Sequence, residues 1–96
     1  MPRRRVSNFD DIRELLADAN PQALFADGFE DALIGMARRC GQPALAVYDY
    51  DKAIKILMER DEMEMDEAIE FLEFNTVGAW VGENTPIFLV RPTPED

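Results

Sequence analysis
Two aspartates one residue apart, Asp49-x-Asp51 between Tyr48 and Tyr50, are the nearest this chain comes to a paired-carboxylate site for a divalent cation. A calcium loop built on such a pair needs further oxygen ligands at set intervals and a glycine at its bend. Neither follows here, and the acid-rich run Glu59 to Glu67 contains no glycine, so helix capping is the simpler role for both aspartates. Cys40 stands beside Arg38 and Arg39, whose charge would favour a thiolate. A nucleophile needs a base, however, and the chain has no histidine; its only serine, Ser7, is placed to cap a helix. Gly78-x-x-x-Gly82 lacks the lysine and hydroxyl residue that a phosphate loop requires, and reads instead as close helix packing. The residues thus offer no catalytic set, no cofactor site and no metal ligands, and weigh against an enzyme.

Charge is the stronger signal. The 96 residues carry a formal net charge of −10. From Asp49 to Phe74 ten acids (Asp49, Asp51, Glu59, Asp61, Glu62, Glu64, Asp66, Glu67, Glu70, Glu73) face three bases (Lys52, Lys55, Arg60). Asp66, Glu70 and Glu73 fall at i, i+4 and i+7 with Glu67 beside them, one ridge of a helix. Like charges at these spacings cost an isolated helix a few tenths of a kcal/mol. A ridge that opposes its own helix invites a functional account. Such a surface repels nucleic acid phosphates and can imitate them, fitting the basic groove of a nucleic-acid-binding protein. The partner-binding candidates are therefore Glu59, Asp61, Glu62, Asp66, Glu67, Glu70 and Glu73. The plain alternatives are a solvated helix face, solubility, or adaptation to salt. Asn75, Trp80 and Glu83 make a secondary candidate surface, with Trp80 either an exposed anchor or part of the core.

These residues need elements to carry them. An apolar fraction of 47% supports one core in one domain. Residues 1–6 read as a disordered basic tail, 7–90 as a single domain and 91–96 as a second tail. No apolar run approaches the ~20 residues of a membrane span, and no apolar segment follows the N-terminal arginines as in a secretory signal. One cysteine permits no internal disulfide, so the cytoplasm is the expected compartment.

Ser7 or Asn8 can cap a first helix running to about Ala19, with Phe9, Ile12, Leu15 and Leu16 on one stripe; Asn20-Pro21 ends it. Asp27-Gly28 is a turn signal, while residues 32–37 and 44–48 read as strands joined by the Gly- and Pro-containing segment 38–43. Asp49 or Asp51 caps a second helix that buries Ala53, Ile54, Leu57 and Met58. After a short connection, Met65, Ala68, Ile69 and Leu72 define the buried face of a third, completing an αα-hairpin. This helix stops near Asn75 or continues to Val81, in which case Phe74, Val77 and Val81 form a second buried face. Residues 87–90 are a last strand. The expected class is α+β: a short antiparallel sheet, a hairpin plus a C-terminal strand, packed on an αα-hairpin with an extra N-terminal amphipathic helix.

The run Asp66-Glu67-Ala68-Ile69-Glu70-Phe71-Leu72-Glu73-Phe74-Asn75, then Gly78-Ala79-Trp80-Val81-Gly82-Glu83 and Thr85-Pro86, resembles a group of small bacterial and phage proteins of unassigned activity. Those also carry a segment like Val47-Tyr48-Asp49-Tyr50-Asp51-Lys52 before the helix pair. The resemblance covers about 60 residues, from Phe29 to Phe88, and implies a compact α+β domain of phage or prophage connection. The leading expectation is a non-enzymatic interaction domain that inhibits or regulates a basic, nucleic-acid-handling protein, without itself binding nucleic acid or a membrane. Two other classes stand beside it. One is a ligand- or metal-binding module or small enzyme with a pocket around Tyr48, Asp49, Asn75 and Trp80. The other is a homodimeric structural domain joined through a strand edge or the first helix.

Overall fold
The computed structural model describes residues 9–78 and 81–92. The proposed Ser7 or Asn8 cap, the basic tail, Ala79, Trp80 and residues 93–96 lie outside them. Helix α1 spans Phe9–Ala19, a single 3₁₀ turn Glu30–Ala32, and strands β1 and β2 Leu33–Ala37 and Leu45–Asp49. Helix α2 (Tyr50–Arg60) and helix α3 (Met65–Leu72) follow; α3 runs on into a π-helical turn, Glu73–Val77, and strand β3 is Ile87–Leu89. The class is α+β.

The sheet has the order β1-β2-β3. Its first two strands pair antiparallel, with a register irregularity between Leu33 and Gly35, as the hairpin signals predict. The third corrects the expected antiparallel sheet: β3 pairs parallel to β2, Val47 opposite Ile87 and Asp49 opposite Leu89, so the sheet is mixed. The chain leaves the end of β2 directly into α2 and returns beside the same strand after α3, which is the route that makes a neighbouring strand parallel.

The core lies where α1 meets β1 and α2 meets β2 and α3. Its largest fully buried side chains are Tyr48, Ile12, Leu16, Leu57 and Leu72, each contributing about 1.5–3 kcal/mol by leaving water. On α1 only Ile12 and Leu16 are buried, whereas Leu15, expected on the same stripe, is exposed. On α2 the expected set is realised by Ala53, Ile54 and Leu57, with Met58 partly buried. On α3 the four-residue face narrows to Ala68 and Leu72; Met65 is 56% exposed and Ile69 is also exposed.

Asn20 does more than end α1. Buried, it donates from its amide to the Ala44 carbonyl at 2.8 Å and to Asn84 Oδ1 at 2.9 Å, pinning the helix exit to the residue before β2 and to the turn before β3. Tyr48 fills the centre of the sheet, its ring stacked on Phe88 at 5.3 Å and its hydroxyl accepting the Ala26 N–H at 2.8 Å. Burial raises its phenol above the ordinary range despite that bond.

The expected close helix packing at Gly78-x-x-x-Gly82 gives way to a different use of both glycines. Gly78 closes the π turn by donating to the Glu73 carbonyl at 2.9 Å, and a Cβ there would meet that oxygen at 2.5 Å. Gly82, at φ +108°, holds the turn toward β3 in a region side chains avoid.

Candidate functional site
The last residue of α2 is Arg60, and the short link to α3 begins with Asp61. Arg60 donates to the Gly28 carbonyl at 2.8 Å and lies over the Phe29 ring, so it anchors the link to the segment before β1. It also forms a two-bond ion pair with its neighbour Asp61 (3.1 and 2.9 Å), which draws the Asp61 carboxyl below its usual range. Glu62 follows with φ +58°, a left-handed conformation that costs a side-chain-bearing residue about 1–2 kcal/mol. Glu62→Gly should therefore raise the unfolding free energy by roughly 0.5–1 kcal/mol, after allowing for glycine's greater freedom in the unfolded chain. Urea unfolding checks this, and an unchanged or lower midpoint would show that the turn is not strained.

Beyond this turn α3 displays its acids. Asp66, Glu67 and Glu70 are exposed, on the side of the helix away from buried Ala68 and Leu72. Among the described residues none of the three has an ion-pair partner, and the same holds for Glu59 and Glu62. Two of the seven candidates behave otherwise: Asp61 is held by Arg60, and Glu73 accepts a 2.7 Å hydrogen bond from the Tyr50 hydroxyl. That bond joins the first residue of α2 to the residue after α3, two helices that are in contact. Burial, then the bond to the Glu73 carboxylate and its charge, push the Tyr50 phenol up to about 12.

Apolar side chains stand among the acids. Met63, Glu67, Glu70, Phe71, Phe74 and Asn75 line a shallow depression of about 410 Å³. The second buried face expected for a longer α3 is absent: Phe74 is 77% exposed and Val77 and Val81 are exposed as well. Asn75 folds its amide back onto the Phe71 carbonyl at 3.2 Å. The spacing does set Phe74 apart from the Leu72 stripe; what it does not reveal is that no other element covers that second face.

The secondary surface separates. Asn75 belongs to this depression, whereas exposed Glu83 lines another, with Arg38, Arg39, Pro43, Val77 and Ile87. Trp80 is outside the described residues. Tyr48 and Asp49, offered as pocket residues, are both buried and bonded within the fold. Asp49, not Asp51, caps α2, accepting the Lys52 N–H at 3.2 Å. Cys40 is an exposed free thiol in the β1–β2 connection. Among the described residues no group of three His, Cys, Asp or Glu stands close enough to hold a metal ion, and no helix is long and apolar enough to cross a membrane.

The chemistry on offer at α3 is non-covalent: several exposed carboxylates beside exposed aromatic rings. No protein-family model, curated protein or solved structure matches the chain.

Proposed function
We propose that this protein is a non-enzymatic interaction domain whose α3 face docks a basic protein, inhibiting or regulating a partner that handles nucleic acid. One observation carries the reading. Asp66, Glu67 and Glu70 stand together on the outward side of α3 with no cation of the described chain neutralising them. Asp66 and Glu67 suit the first turn of α3, where the helix dipole favours acids, but Glu70 is repelled by both; across an interface the three steer a cationic partner and speed its association. The resemblance to small bacterial and phage proteins agrees with a phage-borne regulator acting on a host protein.

The test is capture from a bacterial lysate at low salt, comparing the native chain with Asp66→Lys/Glu67→Lys/Glu70→Lys. The expected yield is basic nucleic-acid-binding proteins, released by salt on the order of 500 mM and lost at least tenfold with the triple variant. Capture that persists through both the salt and the reversal would sink the reading.

A second reading has an observation of its own. Strand β3 lies at an edge of the sheet with Ile87 and Leu89 exposed, an arrangement that invites pairing with a second copy. Light scattering would then give a dimeric mass indifferent to the α3 charges.

A further inference from the structure
We infer that the segment recognised at the α3 face is amphipathic: a cationic stretch carrying one large apolar side chain that seats among Met63, Phe71 and Phe74 while its basic neighbours meet Glu67 and Glu70. This rests on the docking role proposed above and specifies the partner's chemistry. The depression is lined by three apolar side chains, Met63, Phe71 and Phe74, and by three polar ones, Glu67, Glu70 and Asn75. Phe74 is the most exposed large apolar side chain among the described residues, and its ring makes no aromatic or cationic contact with another described residue. The π turn that carries it is closed by the one backbone position where a Cβ would meet a carbonyl oxygen at 2.5 Å, so the ring is presented by a specific backbone shape. Because Asn75 spends an amide hydrogen on Phe71, its carbonyl oxygen remains to accept from an incoming ammonium or guanidinium.

Charge complementarity selects the occupant. A second copy seated here would bring Glu67 and Glu70 against their equals, which like-charge repulsion disfavours. A purely cationic segment would satisfy the carboxylates and leave Phe71 and Phe74 in water. A purely apolar one would bury the rings and strip water from unpaired carboxylates, a costly exchange. Only a segment bearing both kinds of group satisfies the carboxylates and the rings together.

The test uses the full chain and two fluorescein-labelled peptides of equal length and charge, read by fluorescence anisotropy. One peptide contains lysine and glycine; the other contains the same lysines with leucine and tryptophan. The expected result is roughly tenfold tighter binding of the second peptide, the scale set by burying one large side chain. Phe74→Ser should erase that margin, bringing the two peptides to equal affinity. Glu67→Lys/Glu70→Lys should weaken both peptides, and Asp31→Lys, an exposed acid on the 3₁₀ turn, neither. Phe74 is exposed, so Phe74→Ser retains the fold, which circular dichroism verifies. Equal affinity of the two peptides for the native chain, or a margin that survives Phe74→Ser, would overturn the amphipathic inference and leave the acidic docking face standing. Indifference of both peptides to the glutamate reversal would overturn the docking role itself. A dimer dispersed by Phe74→Ser would overturn the choice of occupant.

Discussion

Asp49→Ala lowers the unfolding free energy by about 2–4 kcal/mol, a large share of what a domain this size possesses. Asp49 is 2% exposed, the last residue of β2 and the cap of α2. One carboxylate oxygen accepts the Lys52 N–H; the other accepts from Arg91 Nη1 at 2.5 Å. The variant thus removes a cap, about 1 kcal/mol by itself, and one side of a mostly buried ion pair. Arg91 is partly exposed and can turn toward water, which keeps the loss below the extreme for a stranded buried charge. Asp49→Asn retains a capping oxygen and should cost about half as much. The same site gives a pH signature. Burial pushes the Asp49 carboxyl up, but the Arg91 bond, the Lys52 N–H and the Arg91 charge outweigh it, so the folded value lies below the ordinary aspartate range. A depressed folded value means the contribution is complete above the unfolded pKa and drains away as the pH falls through the folded one. Urea midpoints measured downward from pH 7 should therefore converge for the native chain and Asp49→Asn only in strongly acidic solution. A constant gap between them would refute the assignment.

Leu72→Ala should cost about 3 kcal/mol, and roughly 15 °C in the unfolding midpoint, while Met65→Ala and Ile69→Ala each cost less than about 1 kcal/mol. Met65, Ala68, Ile69 and Leu72 share one helical spacing on α3, yet only Ala68 and Leu72 are fully enclosed. The reason is what the helix meets: α3 makes its main contacts with α2 and with its own π turn, so the strip it hides is narrow. Leu72 has no route to water and its truncation leaves a void, whereas Met65 already stands in solvent. Thermal unfolding of the three variants decides the matter. Comparable losses at Met65 and Leu72 would mean that the face is as broad as the spacing suggests.

What was legible in the residues was local. Asp49 as a cap, the β1–β2 hairpin and the apolar face of α2 follow from short-range pattern, and they appear at nearly the positions read from it. The direction of β3 is not local: it depends on how residues 50–86 travel, and no spacing within Ile87–Leu89 encodes that route. The partnership of Asp49 with Arg91 spans 42 positions and joins a strand end to a residue read as the start of a tail. Asn20 shows a third kind of blindness: before a proline it announces a helix end, and nothing nearby tells that its amide bridges Ala44 and Asn84. At the candidate site, the acids on α3 were visible from spacing alone. The exposure of the phenylalanine beside them was not: spacing separates Phe74 from the Leu72 stripe, but whether another element covers its face depends on the whole fold.

The parallel pairing of β2 with β3 also sets an order of events during chain growth. The hairpin of β1 and β2 closes from neighbours, but the far side of β2 keeps unsatisfied amides and carbonyls until residues 87–89 emerge and dock. Throughout that interval Tyr48 lacks the Phe88 ring and Asp49 lacks the Arg91 guanidinium. The nascent chain thus spends the making of two whole helices with its central strand half zipped, and closure of the core waits on its final clasp.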